Sequence, residues 1–177
     1  MKSIVRMTIC IAFVLFLATF APAQRKKPAV SGKPAVSGKV VNDLFRQLFV
    51  DCKAAAPSPA SWDEIKIDAP AKDYIDVERA PLAQGKTTYL ITGKRDPFYG
   101  AHAEMYWIYE QTSSGYRQVD ALGASYSVRL LPSSHNGYRD LATTYISGAG
   151  TVLDSCKLKF NGRKYVSAGC TSKKIGR

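Results

Sequence analysis

The chain has 177 residues and a formal charge of +11, from 25 Lys and Arg against 14 Asp and Glu. Seven of those cations precede Val40, so the remainder sets 18 basic against 14 acidic residues, about +4. That small surplus, with no nucleic-acid motif, excludes nucleic acid as the partner and points toward anionic envelope polymers or lipid headgroups.

Residues 1–23 read as a secretory signal peptide. Lys2 and Arg6 form the positive start, MTICIAFVLFLATF the apolar run, and Ala21-Pro22-Ala23 the small-residue pattern before cleavage. The run is too short to span a bilayer, and Cys10 lacks the context of a lipid-attachment site. A secreted or periplasmic protein is expected. Residues 24–39 repeat KPAVSG in direct succession, at 27–32 and 33–38. Proline, glycine and lysine cannot build a core, so this is a flexible basic linker suited to peripheral contact with a surface. Cleavage would leave 154 residues (177 minus 23), enough for one core, and residues 40–177 are taken as a single domain.

In VVNDLFRQLFVDCKAAAP the apolar residues Val41, Leu44, Phe45, Leu48, Phe49 and Cys52 fall on one helical stripe, which Pro57 and Pro59 end. Ser61 and Glu64 have capping-box spacing for a further short turn. From about Tyr74 the texture becomes strands: YIDVER, TTYLITG, HAEMYWIYEQ, YRQVDAL, SYSVRLL, YRDLATTYI, VLDSCKLKF and KYVSAGC. Short connections favour antiparallel pairing. The expected fold is α+β, an N-terminal amphipathic helix packed on a curled antiparallel β-meander of about seven to eight strands.

In HAEMYWIYEQ, Ala103, Met105, Trp107 and Tyr109 share one face and read as core. His102, Glu104, Tyr106, Ile108 and Glu110 share the other, which is half apolar and would suit a shallow binding surface. Cys52, Cys156 and Cys170 follow the signal segment, and export favours a disulfide. Asn161-Gly162 is a strong hairpin turn. With a two- or three-residue turn there, Cys170 lies three or four residues beyond the position opposite Cys156, out of disulfide reach. Cys52 is therefore expected to pair with Cys156 or Cys170.

SSHNGYRDL, at 133–141, gathers Ser133, Ser134, His135, Arg139 and Asp140. Those are hydrolase residue types, yet triads are assembled from distant segments and no G-x-S-x-G elbow occurs. The simpler reading is a turn at Gly137 after Pro132 ends a strand, with Tyr138 to Leu141 starting the next. No catalytic residue is assigned. His102 and Glu104 stand at i and i+2 on one strand face, and with His135 they form the alternative metal or hydrolytic site. No calcium loop or phosphate loop is present, and no cofactor is expected.

AEMYWIYEQTSSGYRQV, LLPSSHNGYRDL and KLKFNGRKYVSAGC together resemble a layout found in small exported bacterial proteins of unknown function, with an NGYRDL-type strand motif and a C-terminal FNGRKY-type hairpin. The resemblance covers about residues 86–170 and implies no activity. A fainter likeness to FG-GAP-type propeller hairpins lacks their Asp-rich calcium loop.

The resulting expectation is an exported, non-catalytic binding protein. Its partner would be an anionic envelope polymer or another protein, including a hydrolase it inhibits. Tyr106, Ile108, His135, Tyr138 and Arg139 are the candidate binding residues. The alternatives are a secreted enzyme using His102, Glu104 or His135, and a structural accessory of a larger envelope complex.

Overall fold

The computed structural model describes residues 35–99, 103–147 and 150–175. The expected signal segment, most of the linker and His102 lie outside these residues. Helix α1 (Gly38–Ala55) begins two residues before Val40, where the Ser37 side chain accepts from the Val40 amide. Lys39 to Asp43 and Gln47 to Asp51 add i,i+4 bonds along it. Two short turns follow, α2 (Ala60–Asp63) and α3 (Ala71–Tyr74). The capping box is not made: Ser61 donates instead to the Ser58 carbonyl.

Eight strands follow: β1 (Ile75–Arg79), β2 (Thr88–Gly93), β3 (Glu104–Thr112), β4 (Gly115–Ser125), β5 (Ser127–His135), β6 (Tyr138–Ser147), β7 (Val152–Phe160) and β8 (Tyr165–Lys174). They do not form one continuous meander. β1-β2-β3-β4 make a first antiparallel sheet and β5-β6-β7-β8 a second. The reason lies between β4 and β5. Only Tyr126 separates them, and a hairpin needs a loop of about two residues or more. The chain therefore bends and changes sheet, with the Tyr126 amide and the Ser125 hydroxyl both donating to the Thr144 carbonyl on β6.

The first sheet is apolar on both faces. Tyr89, Ile91, Trp107 and Tyr109 join Leu44, Phe45 and Leu48 of α1 in one core cluster. Alternate residues of the same strands, Leu90, Tyr106 and Ile108, join Tyr138, Leu141, Phe160 and Tyr165 of the second sheet in another. Tyr106 and Ile108 are thus core residues and cannot form the expected surface. Ile108 is fully buried, and burying such a side chain favours folding by about 1.5–3 kcal/mol.

The disulfide joins Cys156 to Cys170, with Cα atoms 4.1 Å apart, and Cys52 is free. This corrects the expected pairing through Cys52, for two local reasons. The β7–β8 loop is four residues long, Asn161 to Lys164, because the Asn161 side chain accepts from the amides of Arg163 and Lys164. A bulge on β8 then shifts the register by one more residue between Leu158↔Ser167 and Cys156↔Cys170. Two extra loop residues and one bulge residue move the partner of Cys156 from Ser167 to Cys170. A disulfide implies an oxidising, non-cytoplasmic compartment. Among the described residues no helix is long and apolar enough to cross a membrane.

Candidate functional site

The β5–β6 hairpin turns on Asn136 and Gly137, both with positive φ (48° and 80°), and His135 pairs with Tyr138. The turn is thus confined to two residues, and Pro132 does not end β5. Pro132 sits instead in a register break, where Leu130 faces Leu141 and Ser134 faces Arg139. Proline has no amide hydrogen to give a ladder, so a bulge is where a strand tolerates it. Three residues of β5 now face Asp140 alone. Ser133 Oγ donates to Asp140 Oδ2 at 2.6 Å, and His135 Nδ1 lies 2.6 Å from Oδ1. Lys157 Nζ lies 3.5 Å from Oδ2.

Asp140 is completely buried. Burial opposes its charge, but the bonds from Ser133 and His135, aided by Lys157, outweigh that and hold the carboxyl below its usual range. The order of these groups decides their chemistry. Ser–His–Asp catalysis needs the histidine between serine and carboxylate, so that it can take the serine proton. Here the carboxylate stands in the middle. Ser133 donates to Asp140, and no bond links it to His135 among the described residues. The cluster anchors a bulged hairpin.

The described members of the metal alternative, Glu104 and His135, are not brought together either. Glu104 accepts from Tyr106 Oη at 2.5 Å, and His135 Nδ1 is committed to Asp140. Glu104 starts β3, whereas Tyr138, opposite His135, hydrogen-bonds Glu110 six residues further along that strand. Those positions are about 20 Å apart at the rise of a strand. His102 is not among the described residues. Among those that are, no group of three or more His, Cys, Asp or Glu could hold a metal ion.

Tyr138 is buried against Phe160, ring centroids 4.4 Å apart. Its hydroxyl donates to Glu110 Oε2, which also accepts from Lys86 (3.2 Å) and Arg117 (2.9 Å). Lys86 stands 5.1 Å over the Tyr138 ring. Burial works against the Glu110 carboxylate, but these three donors keep its pKa below the usual range. The clasp ties β3 to β6 across the two sheets. Sequence reasoning gave Glu110 no role, although its place on the Tyr106–Ile108 face was the available signal. Arg139 is half-buried and donates from Nε to the Leu131 carbonyl. It lines an open groove of about 340 Å³ with Leu82, Gln84 and Ser134, and no acidic residue lines that groove.

A wider feature is electrostatic. Residues 127–175 hold eight cations, Arg129, Arg139, Lys157, Lys159, Arg163, Lys164, Lys173 and Lys174, against Asp140 and Asp154, both buried. Lys157 is the one cation of the eight in a salt bridge among the described residues, and Lys164 also interacts with the Asp120 charge. Comparison with protein-family models, curated proteins and solved structures finds no match.

Proposed function

We propose that the chain is an exported, non-catalytic binding domain whose ligand is an anionic polymer of the envelope or cell exterior. The observation that carries this reading is the unpaired charge of the second sheet. Six of the eight cations there have no carboxylate partner among the described residues, and both acids are withdrawn from the surface. Like charges left facing water repel one another, so an opposing polyanion gains energy by covering them. The basic KPAVSG linker would add to the same attraction. The cysteine bridge and the signal-like amino terminus support a secreted or periplasmic site of action, where such polymers occur.

The central carboxylate in the Ser133–Asp140–His135 cluster favours this reading over a serine hydrolase. The test is retention of the purified chain on agarose carrying a coupled polyuronate, with plain agarose as the blank. Retention reversed by salt is expected on the first and passage through the second. Passage through both overturns the reading, as does ester hydrolysis lost on His135→Ala.

A further inference from the structure

Direct cross-strand partners share a sheet face, and so do residues two apart along a strand. In the second sheet Leu130, Leu141 and Leu158 form one such row, and they belong to or pack against the core cluster shared by the two sheets. The other face points away from that cluster. Two adjoining rows on it have a composition that the core does not require. One is Arg129↔Ala142↔Lys157. The next is Ser127↔Thr144↔Ser155↔Thr171, a hydroxyl on each of the four strands. Lys159 lies two residues beyond Lys157, and Lys173 two beyond Thr171.

We propose that this outer face binds an anionic polysaccharide laid across the strands. The inference rests on the anionic-polymer reading above and gives it a place and a ligand chemistry. A chain crossing the strands meets a serine or threonine about every 4.8 Å. Each hydroxyl can both donate and accept, which matches the hydroxyls of a sugar. The bordering cations match its carboxylate or sulfate groups. Ala142 keeps the floor low between Arg129 and Lys157. Within the hydroxyl row Ser127 and Thr144 bond each other at 2.6 Å, which fixes their spacing.

The face contains one acid, Asp140, which is buried beneath Ser133 and His135 and offsets only Lys157. Arg129, Lys159 and Lys173 stay uncompensated among the described residues. A protein partner would call for an apolar or aromatic centre, and a membrane surface for apolar side chains to bury between headgroups. The centre of this face carries hydroxyls instead, and apolar side chains enter only in the next row, where Ile146 and Leu153 stand beside Lys173.

The full chain is titrated with sodium alginate, a linear polyuronate, with neutral dextran and with phosphatidylglycerol vesicles. Alginate binding with little response to dextran or vesicles is expected. Neutralising Arg129→Gln together with Lys159→Gln should weaken alginate binding roughly 25-fold, about fivefold per cation. Thr144→Val keeps charge and strand preference, and should weaken binding a few-fold with an unchanged salt dependence. The control is Arg163→Gln with Lys164→Gln in the β7–β8 loop, which removes the same charge away from the face and should change affinity less than twofold. Thermal melting confirms that each variant is folded.

If the control pair weakens binding as much as the face pair, the polymer senses net charge alone; the placement fails while the anionic-polymer reading stands. Vesicle binding as tight as alginate binding, indifferent to Thr144→Val, assigns the face to a membrane and overturns the proposal. Absence of alginate binding overturns both.

Discussion

Lys39, Arg46, Lys53, Lys86, Lys94, Arg95 and Arg117, all in the half that carries the helices and the first sheet, each hold a carboxylate. In the second sheet only Lys157 does so among the described residues, and it shares Asp140 with Ser133 and His135. The first half, residues 35–126, has 12 acidic against 10 basic residues and neutralises itself. The second encloses its two acids and leaves its cations on the surface. Exposed ion pairs add little to stability, so pairing in the first half mainly cancels its outward field. The second half keeps that field, and a disulfide helps to hold the sheet that carries it.

The largest expected effect tests that covalent support. Replacing Cys156 and Cys170 together by alanine should cost about 3 kcal/mol in urea unfolding, as expected for a bridge closing a loop of this size. Cys52 supplies the contrast, because burial pushes its thiol up to about 11. Without reductant, alkylation at pH 8 should modify Cys52 slowly and leave Cys156 and Cys170 unlabelled. Rapid labelling of Cys156 or Cys170 in the native protein would break the assignment.

Asp140 comes next. Asp140→Asn removes a buried charge from three donors and should cost about 2 kcal/mol at pH 7. The sign with pH follows from its depressed pKa. The unfolded carboxyl titrates near 3.8 and the folded one below that, so the stabilisation is complete above the unfolded value. It is lost as pH falls through the lower folded value. The part of the gap that comes from the Asp140 carboxylate should therefore close as pH falls below the ordinary carboxylate range. A gap that stays fully open in strong acid would contradict the pairing. Glu110→Gln should behave in the same sense with a smaller loss, since its depressed carboxyl also depends on donors from both sheets.

The α1 stripe, the eight strands and the Asn161-Gly162 hairpin were legible because each depends on local periodicity or local turn chemistry. The division into two sheets was not, since it turns on one residue, Tyr126, too short a link for a hairpin. Nor was the disulfide, whose register needs a four-residue loop and a bulge to add up. Tyr106 and Ile108 resembled a half-polar binding surface because alternation shows which residues share a face, not what covers it. The Ser133, His135 and Asp140 contact required the break at Pro132, which sequence spacing conceals. The outer-face hydroxyl row appears only when four strands are aligned, because its members lie as far apart in the chain as Ser127 and Thr171.

The smallest expected effects sharpen the contrast in charge most directly. Arg95 pairs with Asp68 in the first half, with both side chains substantially exposed, whereas Arg129 has no carboxylate partner among the described residues. Arg95→Gln should barely move the melting temperature and should lower polyuronate retention less than Arg129→Gln, because Arg95 lies in the first half, outside the sheet that carries the proposed face. Arg129→Gln should also leave melting nearly unchanged, but it should lower the salt concentration that elutes the chain from the polyuronate resin. Two substitutions that remove the same charge then differ in whether the charge lies on the proposed face. Equal shifts in elution would mean that the two halves contribute alike to binding, and that the polymer does not single out the outer face of the second sheet.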